Sequence, residues 1–190
     1  MLTEAQCKVV VEKKGLRHLI EAMPAILRQI PEAHLRIAGG GPEEPALRAQ
    51  VNLLGITSQV EFLGPRPQTE LPNLYRQASV FVAPFIEAAS GDQEGLGLVT
   101  VEAIACGCPV VVGDLPVLDE IFEPGEADLR VNPRQTHELA DRILDILKHP
   151  DSSTARVLDI RERLDLRLGW DKVASEYAHL LNAIVSQDRS

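Results

Sequence analysis

The clearest indication of the fold lies in EGLGLVTVEAIACGCPVVVG, residues 94–113, where a glycine-rich turn, a helical pattern and an apolar strand follow one another. Two carboxylates, Glu94 and Glu102, stand eight positions apart in this otherwise apolar or glycine-rich stretch. An ionised carboxylate without a partner is costly in apolar surroundings. The stretch therefore raises the question of what the two carboxylates bind.

Short apolar runs alternate with helical patterns along the rest of the chain. Strands are predicted at residues 7–11, 33–39, 59–64, 79–84, 109–112 and 128–131, and helices at residues 15–30, 41–55, 71–78, 97–106, 115–122 and 136–150. Mostly apolar strands that alternate with helices are typical of a parallel sheet covered on both faces. We therefore predict an α/β fold with a doubly wound, Rossmann-like parallel sheet, which binds ligands at the carboxyl edge of its strands.

The length of 190 residues predicts one domain with its own core. Residues 1–150 carry the alternating pattern and should form the Rossmann-like body. Residues 151–190 contain two further helical patterns, DSSTARVLDIRERLDL and WDKVASEYAHLLNAIV, and should form a helical C-terminal tail that packs on this body.

Composition excludes several classes of protein. A formal net charge of −9 disfavours nucleic acid as a partner, because affinity for nucleic acid comes largely from neutralising phosphates. The sequence contains no long apolar run that could span a membrane and no secretory signal. The 3 cysteines do not form a disulfide framework and fit a reducing compartment. We therefore predict a cytoplasmic protein.

The loop after the first predicted strand carries Lys13 and Lys14 just before Gly15. A lysine in a tight loop between a strand and a helix can reach a phosphate at the helix N-terminus. The alternative, that both lysines are merely solvated, stays open at this point.

The loop after the second predicted strand contains Gly40 and Gly41. It fails the dinucleotide-binding fingerprint, because Glu44 stands where the third glycine would be. The two glycines indicate either a close approach to a ligand, such as a nucleobase, or a plain turn.

The loop at residues 84–97 leads into the helix that carries Glu102. A helix that starts near Leu96 leaves the N–H groups of residues 95–98 free to bind negative charge. At a rise of about 1.5 Å per residue, Glu102 lies about 12 Å from Glu94, farther than paired carboxylates stand in glycoside hydrolysis. Two acceptors on either side of an anion-binding helix end match a ligand with hydroxyls at both ends and phosphate between them, which is the outline of a nucleotide-sugar.

Cys106 and Cys108 do not match the spacing of zinc ligands, and no second cluster of cysteine or histidine completes a set of four. Both are predicted to be buried structural residues. We expect no metal site.

These motifs together resemble the C-terminal, donor-binding domain of the retaining glycosyltransferases of family 4 (group 1), which have the GT-B fold. Glu94 and Glu102 match the family's E-x7-E pattern, and VEKKGLRHLIEAM resembles its lysine-glycine loop and first helix. The resemblance covers about residues 8–186, and it includes HLRIAGGGP, VEFLGP, LPNLYRQASVFVAPF and the last helix, WDKVASEYAHLL.

The resemblance implies roles for the matching positions. Glu94 would be the catalytic residue beside the reacting sugar carbon, Lys14 would bind the donor phosphates, and Glu102 would hold the ribose hydroxyls. Backbone N–H groups for the sugar and phosphate would come from Gly95, Leu96, Gly97 and Leu98. The donor would be a UDP-sugar or a GDP-sugar, and no metal would be required.

Two departures from the family pattern affect this interpretation. The family has a glycine-arginine pair where this chain has Lys8 and Val9, so one expected cation is missing, and Lys8 or Lys13 is the candidate to replace it. The loop with Glu87 and Asp92 is also longer than usual, and these two residues are either further sugar contacts or have no role in the site. In addition, the family's N-terminal acceptor-binding domain is expected as a partner domain or chain, and any peripheral membrane association is expected only through that half.

The resulting hypothesis is the donor-binding half of a retaining, hexosyltransferase-like glycosyltransferase that is inactive without its N-terminal half. A non-catalytic interaction module on the same fold, supported by Val9, and one half of a sugar-nucleotide epimerase are the alternatives. A dehydrogenase ranks last, because the glycine fingerprint fails.

Overall fold

The computed structural model describes the backbone of residues 5–187 and the side chains of residues 10–181. Its strands are β1 (Ala5–Val9), β2 (Leu35–Gly40), β3 (Val60–Gly64), β4 (Phe81–Ala83), β5 (Val110–Gly113) and β6 (Arg130–Val131). Its α-helices are α1 (Leu16–Gln29), α2 (Glu44–Leu53), α3 (Leu71–Gln77), α4 (Leu98–Ala105), α5 (Thr136–Lys148), α6 (Pro150–Leu168) and α7 (Trp170–Gln187).

The strands pair only in parallel, in two ladders with the orders β1-β2-β3 and β4-β5-β6. Strand β1 lies next to β4, so the combined order is 3-2-1-4-5-6. The chain reverses its direction of winding between β1 and β4, and the loops that follow these two strands therefore flank the crevice where ligands bind in such sheets. The predicted α/β fold with a doubly wound parallel sheet is confirmed. Its hydrogen-bonded ladder is interrupted between β1 and β4.

Alternate residues of the strands pack into two separate hydrophobic cores, one on each face of the sheet. Val82 and Val111 belong to the core under α1, α2 and α5, whereas Phe81, Val110 and Val112 belong to the core under α3, α4 and α6. Successive side chains of a strand point to opposite faces. The central strands are therefore apolar throughout, as expected for a sheet that is covered on both sides.

The two tail helices differ in how they meet this body. In α6, Val157, Ile160 and Leu164 are buried in the core beside α4. In α7, all described side chains are exposed or only partly buried, and Trp170 is 86% exposed. The division of the chain at residue 150 stays a prediction. Among the described residues, no helix combines the length and apolar character that crossing a bilayer requires.

Several boundaries differ from those predicted. Strand β1 ends at Val9, two residues early, because β2 ends at its partner Gly40 and leaves no strand to pair with beyond it. Strand β4 ends before Pro84, which has no N–H group to donate. The helix predicted at residues 115–122 is a short 3-10 helix, Pro116–Glu120, and a second 3-10 helix, Pro124–Leu129, follows it.

The turn after β1 packs directly on the chain that follows β4. Residues Glu12–Lys14 form a 3-10 turn, and Gly15 ends it with a φ of 66°. A Cβ atom at Gly15 would lie 1.8 Å from the carbonyl oxygen of Pro84. Glycine is required there both by the left-handed backbone and by this close approach.

Replacement of Gly15 tests this packing. Gly15→Ala should lower the free energy of unfolding by at least about 3 kcal/mol, since the methyl group would force the two loops apart. Gly55→Ala is the matched control, because Gly55 has nearly the same φ, 67°, but nothing within 4 Å of its Cβ position. The control should cost only about 1–2 kcal/mol in urea unfolding. Equal losses in the two variants would show that Gly15 is not required by its contact with Pro84.

Candidate functional site

Lys14 and Glu94 come together at the carboxyl edge of the sheet. The Nζ atom of Lys14 lies 2.6 Å from Oε2 of Glu94 and 5.0 Å from the centroid of the Phe85 ring. The side chains of Lys14 and Glu94 are only 13% and 16% exposed. The sequence predicted both residues as site residues but not their direct contact, which depends on the packing of two loops about 80 positions apart.

The neighbouring Lys13 has partners of its own in the loop before α4. Its Nζ atom donates to Oδ1 of Asp92 and to the carbonyl oxygen of Gln93, both at 3.1 Å. In the same loop, Glu87 accepts a hydrogen bond from the amide of Gln93 at 2.8 Å, and its carbonyl oxygen accepts one from Arg134 at 2.8 Å. The charged groups of this long loop are thus paired within the protein, and the sugar contacts expected of Asp92 and Glu87 stay predictions.

Helix α4 begins at Leu98, and Gly97 precedes it with a φ of 59°. Within the residues that the structure describes, the N–H groups of residues 95–99 donate to no backbone carbonyl, whereas Thr100 already donates to the Gly97 carbonyl at 2.8 Å. Gly95, Leu96 and Leu98 are exposed. This helix end therefore offers free backbone donors and the positive end of a helix dipole, which together attract anions.

Glu102 is the fifth residue of α4, and its carboxylate accepts hydrogen bonds from two neutral side chains. Its Oε1 accepts a hydrogen bond from Nε2 of Gln68 at 3.0 Å, and its Oε2 accepts one from the Tyr75 hydroxyl at 3.2 Å. Glu94 is in the loop before the helix, so the helical rise behind the expected 12 Å spacing does not apply between the two carboxylates. Sequence reasoning missed the contacts of Glu102 with Gln68 and Tyr75. The short helix α3, which precedes α4 along the chain, was the signal that could have found Tyr75.

Chain packing explains Gly41 of the second loop, whereas Gly40 is only close to a proline ring. A Cβ atom at Gly41 would lie 2.5 Å from the backbone N and O atoms of Val10, and one at Gly40 would lie 3.3 Å from the ring of Pro65. A ligand contact by either glycine stays a prediction. The side chains of Lys8 and Val9, where the family pattern has glycine and arginine, lie outside the described residues.

Cys106 and Cys108 follow helix α4, and both are free thiols. Cys108 is buried and Cys106 is partly buried, and burial raises the pKa of the Cys106 thiol. In the described part of the chain, no group of three or more His, Cys, Asp and Glu residues is placed to hold a metal ion.

A cavity of about 300 Å³ lies between α5 and α6, on the opposite edge of the sheet. Its Arg142 and Arg156 both donate to Asp128, and the hydrogen bond from Arg156 lowers the pKa of that carboxyl.

Most of the chain matches a known protein family. Residues 6–163 match the model described as glycosyl transferases group 1. The chain belongs to this family. The resemblance to a GT-B glycosyltransferase domain is thereby confirmed, and the matched range contains Lys14, Glu94 and Glu102.

Curated relatives and solved structures place the chain more closely. It is 34% identical over 173 residues to the GDP-mannose-dependent alpha-(1-6)-phosphatidylinositol monomannoside mannosyltransferase of Mycobacterium tuberculosis (strain CDC 1551 / Oshkosh). The matched region covers 90% of this chain but only 45% of that protein. It superposes with a TM-score of 0.80 and 23% identity on Anabaena Alr3699/HepE in complex with UDP, over 94% of this chain and 48% of that one.

A solved C-terminal domain shows which part of such a protein the chain matches. The C-terminal domain of the group 1 glycosyl transferase LpcC from Francisella tularensis superposes with a TM-score of 0.73 and 21% identity, over 86% of this chain and 84% of that domain. The chain therefore has the fold of a C-terminal GT-B domain and spans about half the length of the curated relatives it matches.

The contact between Lys14 and Glu94 can be measured by a double-mutant cycle. Lys14→Met and Glu94→Gln should each destabilise the fold, because each leaves a largely buried charge without its partner, and the coupling energy should be about 1–3 kcal/mol. Lys13→Met and Asp92→Asn form the matched control cycle, in which the Asp92 side chain is 61% exposed. That coupling should stay below about 1 kcal/mol. Couplings of equal size would contradict the buried pair.

Proposed function

We propose that this chain is the donor-binding half of a retaining glycosyltransferase, which binds a nucleoside-diphosphate sugar. The observation that carries the proposal is the arrangement along α4. Lys14 contacts Glu94, which precedes the first residue of this helix by four positions. Free backbone donors follow at residues 95–99, and Glu102 lies one turn into the helix. The membership of the family supports the same assignment.

Each part of the ligand has a matching group in this arrangement. The diphosphate would be bound by the N–H groups of residues 95–99 and by Lys14, which neutralise the charge that grows on the diphosphate as it leaves. Glu94 would accept hydrogen bonds from the sugar and act as the catalytic residue near the reacting carbon. Glu102 would accept the ribose hydroxyls. The transferred sugar would keep its anomeric configuration, and the protein donors would replace a metal ion.

The contact between Lys14 and Glu94 is compatible with such a ligand. Each group satisfies the other while the site is free, so neither charge is left unpaired in a largely buried position. An ammonium group can make three hydrogen bonds, and a carboxylate can accept about four. Lys14 can therefore bind a phosphate oxygen, and Glu94 a sugar hydroxyl, while they remain in contact.

We propose GDP-mannose as the donor to test first, with UDP-sugars second. Several curated relatives, from Mycobacterium, Mycolicibacterium and Corynebacterium, are named as GDP-mannose-dependent enzymes, and the relative compared above is 34% identical. Anabaena Alr3699/HepE, in contrast, is described in complex with UDP-glucose, at 23% identity. The higher identity favours the guanosine donor.

A second half that binds the acceptor is part of the proposal. Leu96 and Leu98, at the start of α4, are 69% and 59% exposed, and Trp170 and Tyr177 on α7 are 86% and 65% exposed. Such apolar groups near a ligand site and along a helix suit coverage by another domain or chain. Transfer would require that half, and any association with a membrane would occur through it. We also propose a reducing, cytoplasmic location, in keeping with the free thiols of Cys106 and Cys108.

Thermal unfolding with a panel of ligands tests donor binding. Addition of GDP-mannose at about 100 times its dissociation constant should stabilise the chain by about 2.7 kcal/mol and raise its Tm, whereas NAD should have no effect. A chain that keeps a cooperative transition but responds to no nucleotide-sugar would contradict the proposal and favour the interaction module. Reversible conversion of the donor by the chain alone to a sugar epimer would favour the epimerase half.

Two variants distinguish the contact with the nucleoside end of the ligand from the contact with its sugar end. Glu102→Ala should weaken the binding of GDP itself by at least about tenfold, because it removes the acceptor for the ribose. Glu94→Gln should leave GDP binding within about threefold and weaken only GDP-mannose, because GDP has no sugar to contact it. Glu176→Ala, on the exposed α7, is the control and should bind both ligands as the wild type does. Identical behaviour of the first two variants would contradict the assigned roles.

A further inference from the structure

Both oxygens of the Glu102 carboxylate are held by groups from outside its own helix. Gln68 belongs to the loop after β3, and Tyr75 lies on α3, so the two donors reach Glu102 from two different elements. Glu94 is paired with a cation, whereas these donors are a neutral amide and a neutral phenol. Neither of these two donors carries a charge, and together they restrict the orientation of the Glu102 carboxylate.

The Tyr75 hydroxyl has a position that the protein core determines. The side chain of Tyr75 is 1% exposed, and its ring packs edge-on against Phe81, with the ring centroids 5.4 Å apart and the planes at 83°. Phe81 is itself fully buried in β4. A ring that is held in this way places its hydroxyl oxygen with little freedom, and the hydrogen bond passes this restriction on to Oε2 of Glu102.

The remaining acceptor capacity of Glu102 matches a pair of neighbouring hydroxyls. An ionised carboxylate offers about two acceptor positions on each oxygen. Gln68 uses one position on Oε1, and Tyr75 uses one on Oε2. One position on each oxygen is left, at the spacing of the two oxygens of a single carboxylate. A ribose presents two hydroxyls on adjacent carbons, which can donate to two such oxygens in parallel, and a deoxyribose cannot make both bonds.

Resting on the function proposed above, we propose that Tyr75 and Gln68 are positioning residues that make Glu102 selective for ribonucleotides over deoxyribonucleotides. They touch no part of the ligand in this role. They hold the carboxylate in the one orientation in which both of its free acceptor positions meet the ribose hydroxyls, so the selectivity is preorganised before the ligand arrives.

The ratio of two dissociation constants tests the role of Tyr75. Both are measured by calorimetry on the full chain, one for GDP and one for 2′,3′-dideoxy-GDP. The wild type should prefer GDP by about tenfold or more, the worth of two hydrogen bonds to a charged acceptor. Tyr75→Phe keeps the buried ring and removes only the hydroxyl, and it should reduce the preference to about threefold or less. Tyr177→Phe removes a hydroxyl from an exposed ring on α7 and should leave the preference unchanged.

The ratio distinguishes positioning from a merely structural role. A variant that is only less stable would lose affinity for both nucleotides equally and keep the wild-type preference, which would overturn the assignment of Tyr75. Gln68→Ala alters an exposed side chain, and it should also reduce the preference while leaving the Tm unchanged. An unchanged preference in Gln68→Ala would overturn the assignment of Gln68.

Failure of the proposed function gives a different result. If the wild type binds neither GDP nor UDP, the proposal of a donor site is wrong, and the proposed selectivity for ribonucleotides is wrong with it. If the wild type binds GDP and dideoxy-GDP equally, donor binding stands, and the selective role of Glu102 and its two donors is overturned.

Discussion

The close backbone contact between the turn after β1 and the end of β4 determines how the carboxyl edge is arranged. The two strands belong to separate ladders, so the contacts between their loops must join them at this edge. Gly15 lets the Pro84 carbonyl approach to a distance that no other residue permits, and Ile86 donates its N–H group to the Lys13 carbonyl at 3.0 Å. As a result, the turn with Lys14 lies against the loop that leads to Glu94.

The electrostatics of the edge are local and oppose the charge of the whole chain. The net charge is −9, yet the start of α4 presents free N–H groups, and Lys14 contacts Glu94, the residue that precedes them. An anionic ligand is bound by the field in its immediate surroundings, since charges more than about 10 Å away are screened at ordinary ionic strength. The carboxylates of Glu94 and Glu102 also differ in the charge of the groups next to them. Glu94 is compensated by a cation, whereas the donors to Glu102 among the described residues are the neutral side chains of Gln68 and Tyr75.

The sequence was sufficient to predict the fold class and the residues that carry charge at the edge. Apolar strands alternating with helices predicted the doubly wound sheet, and the helix predicted at residues 97–106 is observed at Leu98–Ala105. Periodicity and glycine punctuation are local properties, so they were readable without the fold. The motif around Glu94 and Glu102 added the family, which its comparison with known proteins confirms.

The contacts between distant segments could not be predicted in the same way. The pairing of Lys14 with Glu94 requires β1 to lie beside β4, and the contacts of Glu102 require α3 to lie beside α4. No spacing along the chain encodes either distance. The same reason applies to Gly41, for which the sequence left open a ligand approach or a plain turn, and whose packing on Val10 only the fold reveals. Strand ends were misjudged where pairing, rather than apolar character, decides the length.

The most direct test is a titration of the ¹⁵N-labelled chain with GDP, followed by NMR of the backbone amides. The largest shifts should fall on the amides of residues 95–99 and on Lys14, since these donors would receive the diphosphate. Amides around Arg142 and Arg156, at the cavity on the opposite edge of the sheet, should not move. Shifts concentrated at that cavity, with none at residues 95–99, would contradict the anion-binding helix end on which the proposed donor site depends.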